Sequence, residues 1–91
     1  DFDWEYPGTA GIGCNVHTVN DTTNFLSFLT ELREDDTAGA ITMSASMSLA
    51  PFLNAKNDQI EQFSQKLNYI TMMDYDIWGF WSPTVGPNAP L

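Results

Sequence analysis

Acidic and aromatic residues alternate strictly at the start of the chain: Asp1, Asp3 and Glu5 interleave with Phe2, Trp4 and Tyr6. Successive side chains of an extended strand point to opposite faces. The pattern therefore predicts a strand with carboxylates on one face and rings on the other. Such a strand suits a place where the rings pack under helices and the acids look into a cavity. Gly8-Thr9-Ala10-Gly11-Ile12-Gly13 follows as a flexible stretch. No Gly-Lys-Ser/Thr ending marks it as a phosphate cradle, so it reads as a βα loop that shapes a cleft. Asn20 or Asp21 is placed to cap a helix, since either side chain accepts from the exposed N–H groups of a first turn. Phe25, Leu26, Phe28, Leu29 and Leu32 then recur at helical spacing up to about Glu34. Asp35 to Gly39 ends that helix.

The stretch from Ala40 to Ser46, small and apolar, predicts a buried second strand. Met47 to Asn57 is a loop containing Pro51 and Phe52. Asp58 is a candidate cap for a second helix with Ile60, Phe63 and Leu67 on its inner face. Asn68 to Tyr75 predicts a third strand, and the tail from Asp76, rich in Trp, Pro and Gly, a loop. Strand, helix, strand, helix, strand is the order of βαβ units with a parallel sheet, an α/β class. Parallel sheets occur almost only with both faces covered, and a free three-stranded piece leaves two edges open. The expected setting is a (β/α)₈ TIM barrel of about 250 residues, of which roughly a third is present. A doubly wound sheet is the alternative. The barrel is preferred because acids at a strand's C-terminal end lie where barrel chemistry sits.

Composition narrows the partners. A hydrophobic content of 43% is ordinary for a globular protein and argues against disorder. Three Lys and Arg against twelve Asp and Glu, a net charge of -9, disfavour nucleic acid and anionic membrane surfaces. No apolar run approaches the roughly 20 residues of a membrane span. The chain begins inside a strand pattern without Met or a signal peptide and stops in a loop. It is read as an internal segment of a larger protein, one partial domain over residues 1–91. Cys14, the one cysteine, is either a buried small hydrophobe or half of a bridge to a partner outside the segment. With His17 it is too sparse for a metal site.

Same-face acids in a strand sit about 6–7 Å apart at Cα, from a rise of about 3.3 Å per residue. At that separation the charges resist ionising together. A carboxyl kept protonated near neutrality is what a general acid needs. The competing explanation is an acidic strand in an acidic protein.

Asp1-Phe2-Asp3-Trp4-Glu5-Tyr6-Pro7 resembles the second half of the DGxDxDxE signature of family 18 glycoside hydrolases, the chitinases. Met73-Asp74-Tyr75-Asp76 resembles the MxYD motif of the same family, and Ile77-Trp78-Gly79-Phe80-Trp81 continues as its sixth-strand loop does. Ile12-Gly13-Cys14-Asn15 and the run from Ser82 to Leu91 look most like fungal secreted chitinases. The resemblance covers essentially the whole segment, from the fourth barrel strand to the loop after the sixth. It implies hydrolysis of β-1,4-linked N-acetylglucosamine with Glu5 as general acid and then base. Asp3 would orient the substrate's acetamido group, whose oxygen attacks the anomeric carbon to give an oxazolinium ion. This substrate-assisted route is the family's known exception to the two-carboxylate scheme and is carried over with the resemblance. Asp1 would share a proton with Asp3, and Tyr75 would donate to the attacking acetamido oxygen. Met73, Asp76, Trp81 and Tyr6 are the expected substrate-binding residues. Strand parity puts Met73 and Tyr75 on one face, so Asp76 must lie at a strand end or bulge.

The resemblance further implies chitin or chitooligosaccharide as substrate, no metal or organic cofactor, no nucleic acid or membrane partner, a secreted protein and a monomer when whole. Neither the first Asp of the signature nor the eighth strand's Trp is among these residues. Two other functions share the fold. One is a catalytically silent chitin-binding lectin, which typically loses the acid at the Glu5 position. The other is an endo-β-N-acetylglucosaminidase acting on N-glycans.

Overall fold

A computed structural model of the chain describes residues 1–11 and 13–89. The expectations that fall on Ile12, Pro90 and Leu91 lie outside the described residues. The elements run β1 (Phe2–Asp3), α1 (Asp21–Glu34), a 3₁₀ turn (Ala38–Ala40), β2 (Ser44–Met47), α2 (Asn57–Lys66) and β3 (Tyr69–Met72). The described strands form one parallel sheet in the order β1-β2-β3. That is the predicted βαβαβ sequence of elements, with shorter strands.

The shortening has local causes. β1 pairs only through Phe2 with Ala45 and Asp3 with Ser46, and Pro7, which has no N–H, cannot extend the ladder. β2 was expected from Ala40 and instead starts at Ser44 and continues to Met47. Ahead of it, Arg33 takes the carbonyls of Gly39 and Ile41 through Nη1 at 3.0 and 2.8 Å. Those carbonyls are thereby spent away from the sheet, and Ala38–Ala40 winds into a 3₁₀ turn. β3 pairs with β2 from Tyr69 to Met72. Single backbone bonds lie outside that span, from Asn68 N–H to Met43 O and from Met73 N–H to Met47 O, each 2.8 Å.

Both helices pack on one face of the sheet, as consecutive right-handed crossovers require. The core there consists of Phe25, Leu26 and Leu29 of α1, Met43, Ala45 and Met47 around β2, Phe63 of α2 and its C-cap Leu67. Phe2 meets Phe25 and Phe28 edge-on at 5.8 and 5.6 Å, and Trp4 meets Phe25 edge-on at 5.7 Å. The prediction that the opening rings pack under a helix therefore holds for Phe2 and Trp4. Phe63 is fully buried and stacks on Phe52 at 4.2 Å. That stack helps hold Phe52 at a φ of 57°, a left-handed conformation costing an aromatic residue about 1 kcal/mol or more.

Several local expectations are corrected. Asn20 is the N-cap of α1 but makes no side-chain capping bond among the described residues. Asp21 does not cap either: its carboxylate turns back to the preceding loop. It accepts the N–H groups of Thr18 at 2.8 Å and Gly8 at 3.2 Å, and the Thr18 hydroxyl at 2.9 Å. Asp58 lies inside the first turn of α2, whose N-cap is Lys56. There Gln59 bonds the Lys56 N–H through Oε1 and reaches Thr23 of α1 through Nε2. This polar contact joins the first turn of α2 to α1, and Ile60 is left about half exposed, at 48%. Cys14 is exposed and unpaired, so its reading as a buried hydrophobe fails.

Arg33 fixes the opposite end of the unit. Besides the two carbonyls above, it donates to Lys66 O through Nε at 2.7 Å and to Asn68 Oδ1 through Nη2 at 2.8 Å. Asn68 Oδ1 also accepts from Met43 N–H at 2.8 Å. One guanidinium thus joins the end of α1, the approach to β2, the end of α2 and the approach to β3.

Candidate active site

The sheet face away from the helices carries Asp1, Asp3, Ser44, Ser46 and Thr71, by register and alternation. Asp1 is held there by two hydroxyls: Ser44 Oγ donates to Oδ1 at 2.7 Å and Ser46 Oγ to Oδ2 at 3.0 Å. Both Asp1 oxygens are thus engaged by β2 serines. Asp3 sits opposite Ser46, one position farther toward the C-terminal end of the sheet.

Beyond Asp3 the strand ends and the strict alternation ends with it. Asp3, Trp4, Glu5 and Tyr6, with Asn15 and Val16 of the following loop, line a cleft of about 600 Å³. The Glu5–Tyr6 peptide is cis. Alternation alone grouped Tyr6 with Phe2 and Trp4, but the structure brings it to the residues at the end of β3. Burial first, and then the negative charge of Glu5, push the Tyr6 phenol above its ordinary value of 10.0. Tyr75 and Asp76 are close enough to add to the same shift.

A second cleft, of about 540 Å³, adjoins this one through Tyr6 and is lined also by Gly11, Gly13, Asp76, Phe80 and Trp81. Asp76 stands just past β3 with a φ of 54°. The third strand, expected to reach Tyr75, ends at Met72, so Met73, Tyr75 and Asp76 lie beyond it and strand parity does not govern them. The left-handed conformation of Asp76 is one that Asp tolerates better than most. Trp81 is held by a tight turn in which Gly79 N–H bonds Ser82 Oγ at 3.1 Å and Ser82 N–H bonds Gly79 O at 2.9 Å. Phe80 meets Trp81 edge-on at 5.3 Å and is fully exposed. Trp78, by contrast, bonds Pro87 O through Nε1 at 3.0 Å and packs over Gly86. Its place is in closing the terminal loop.

The eight predicted residues thus fall into groups. Asp3, Glu5 and Tyr6 share one cleft, Tyr6, Asp76 and Trp81 the other, and Tyr75 lies near Tyr6. Met73 is buried at the end of β3, and Asp1 is bound to β2. Sequence reasoning missed Ser44 and Ser46, whose spacing of two was visible but was read only as smallness. It also missed Asn15 and Gly11, which carry no composition or periodicity signal. Asn15 Nδ2 donates to the Glu5 carbonyl oxygen at 3.1 Å, and Gly11 approaches that same carbonyl so closely that a Cβ would collide with it.

Carboxyl, phenol and indole groups converging at the ends of parallel strands make a surface suited to a neutral, hydroxyl-rich ligand. The carboxyls donate or accept protons, the phenols donate hydrogen bonds, and the exposed rings offer flat faces. Among the described residues, no group of His, Cys, Asp and Glu is placed to hold a metal ion. No described helix is long and apolar enough to cross a membrane.

Fold and site together define an α/β unit with its chemistry at the C-terminal ends of parallel strands. The chain belongs to the glycosyl hydrolases family 18, whose model matches residues 1–91, and the family's fold is the (β/α)₈ barrel. It is 45% identical over its whole length to a "chitinase-like effector" of Moniliophthora roreri, covering 22% of that protein. It is 32% identical to "Chitinase A1" of Niallia circulans and 31% to the "Endochitinase" of Manduca sexta, again over all of this chain. Those matches cover 14% and 16% of the two relatives. The chain therefore spans about a fifth or less of the length of these relatives. No solved structure matches it significantly.

Proposed function

We propose that this segment supplies the proton-transferring part of a retaining chitinase, as strands four to six of a barrel catalytic domain of which residues 1–91 are one portion. Glu5 protonates the glycosidic oxygen and later activates water. Asp3 orients the acetamido group, whose oxygen attacks the anomeric carbon with expulsion of the protonated leaving sugar. Water then opens the oxazolinium ion, giving its proton to Glu5, and the configuration is retained. Tyr75 hydrogen-bonds the acetamido oxygen as charge develops, and Asp1, tied to Ser44 and Ser46, shares a proton with Asp3. Tyr6, Asp76, Met73 and Trp81 bind the sugar chain.

The observation that supports this reading best is the shared cleft of Asp3, Glu5 and Tyr6, with Tyr75 and Asp76 near the same phenol. Chitin or a chitooligosaccharide is the proposed substrate of the whole protein, which is proposed to act outside the cell as a monomer. The test is hydrolysis of a chitooligosaccharide by the full-length protein beside its Glu5→Gln variant. Equal turnover by the two would refute the role of Glu5.

A second reading is a catalytically silent chitin-binding protein. It is favoured by two relatives, each a "chitinase-like effector", at 45% and 39% identity. Glu5 itself argues for the enzyme, because silent chitin-binding proteins on this fold typically lose the acid at that position. Binding of the oligosaccharide without hydrolysis would decide for the second reading.

A further inference from the structure

Glu5 stands two residues beyond Asp3, the last residue through which β1 pairs. The sheet therefore does not hold its peptide unit. The loop does: Asn15 Nδ2 donates to the Glu5 carbonyl at 3.1 Å, and Gly11 abuts the same oxygen. The loop is tied in turn to the first turn of α1, where the buried Asp21 carboxylate accepts from Gly8 and Thr18. The two sets of contacts lie on one loop, with Thr18 three residues from Asn15 and Gly8 three residues from Gly11.

We propose that Asn15 is a positioning residue for Glu5, fixing the peptide plane that aims its carboxyl at the scissile oxygen. The inference rests on the reading of Glu5 as the general acid. A proton donor must lie within hydrogen-bond reach of its acceptor, and a misplacement of about 1 Å costs up to a hundredfold in rate. The Asn15 bond is solvent-exposed, so water replaces it when the amide is removed and little stability is lost. Its contribution lies in direction, and direction is read in kcat. Gly11 belongs to the same device, because any side chain there would push the Glu5 carbonyl aside.

The test uses the full-length protein and a chitooligosaccharide, with Asn15→Ala, Asn15→Gln and Glu5→Gln assayed together. Asn15→Ala should lose about tenfold in kcat with KM within about twofold and an unchanged melting temperature. Asn15→Gln, which keeps an amide donor, should recover most of that loss. Parental kcat in Asn15→Ala would overturn the inference. So would a raised KM with kcat kept, which would make Asn15 a direct substrate contact. A fall in kcat that tracks a fall in melting temperature, without rescue by Gln, would make its role merely structural and also overturn it. Full activity in Glu5→Gln would instead bring down the reading of Glu5, an outcome separable from all of these.

Discussion

Tyr6 and Asp76 line one cleft, although they follow β1 and β3, which are not neighbours in the sheet. β2 lies between, and its residue opposite both Asp3 and Thr71 is the small Ser46, with Ser44 two positions before it on the same face. Small side chains on the middle strand leave the space across which the ends of the outer strands approach. The Tyr6 phenol is the meeting point, and its elevated value follows from burial and from the carboxylates gathered there.

That elevation gives a spectroscopic prediction. A phenol raised above its ordinary value favours the folded state while it is neutral, and that advantage is lost as pH rises through the folded value. An ultraviolet titration of the protein minus that of Tyr6→Phe should show one phenol ionising above pH 10.0. A difference curve centred at or below 10.0 would contradict the half-buried, acid-flanked position of Tyr6.

Acid lability is expected at the base of the loop. The N–H of Thr18, then its hydroxyl and the N–H of Gly8, with a smaller effect of His17, hold the Asp21 carboxyl below its ordinary value of 3.8. A depressed carboxylate contributes stability above its unfolded value, and that contribution disappears as pH falls through the lower folded value. The parent's denaturation midpoint should drop as pH falls below about 4, and Asp21→Asn, weaker at neutral pH, should show less of that dependence. Parallel pH curves for the two proteins would contradict it.

Arg33 offers a test of the fold alone. Arg33→Ala removes donors to Gly39, Ile41, Lys66 and Asn68 at once, and should cost about 2–3 kcal/mol by denaturant unfolding. Arg33→Lys should recover little, because one ammonium cannot reproduce a planar fork with several acceptors. A loss below about 0.5 kcal/mol, the scale of an ordinary surface substitution, would show the clamp to be incidental.

Trp81 should act on binding rather than on chemistry. Trp81→Ala is expected to raise KM for a chitooligosaccharide roughly three- to tenfold, from the loss of an aromatic face, with kcat nearly kept. A fall in kcat at constant KM would place Trp81 nearer the reacting bond than the cleft does.

The order of elements was legible because helical and strand periodicities differ, and the run from Phe25 to Leu32 could be nothing but an amphipathic helix. Strand ends were not legible, because they depend on tertiary partners. Arg33 diverts the carbonyls before β2, and β1 stops where Ser46 is its last partner. Phe2 and Trp4 pack as alternation predicts, whereas Tyr6, three residues past the last paired residue Asp3, does not. The carboxylates of the candidate site announce themselves in the opening residues. Asn15 and Gly11 do not, because one hydrogen bond and one close approach leave no pattern along a chain.

The most direct measurement is the rate at which the full-length Glu5→Gln protein cleaves a chitooligosaccharide, with the affinity for that sugar measured alongside. Loss of the general acid should lower kcat by about a hundredfold to ten-thousandfold while affinity stays within a few-fold of the parent. Undiminished cleavage, or affinity lost in step with rate, would contradict proton delivery by Glu5.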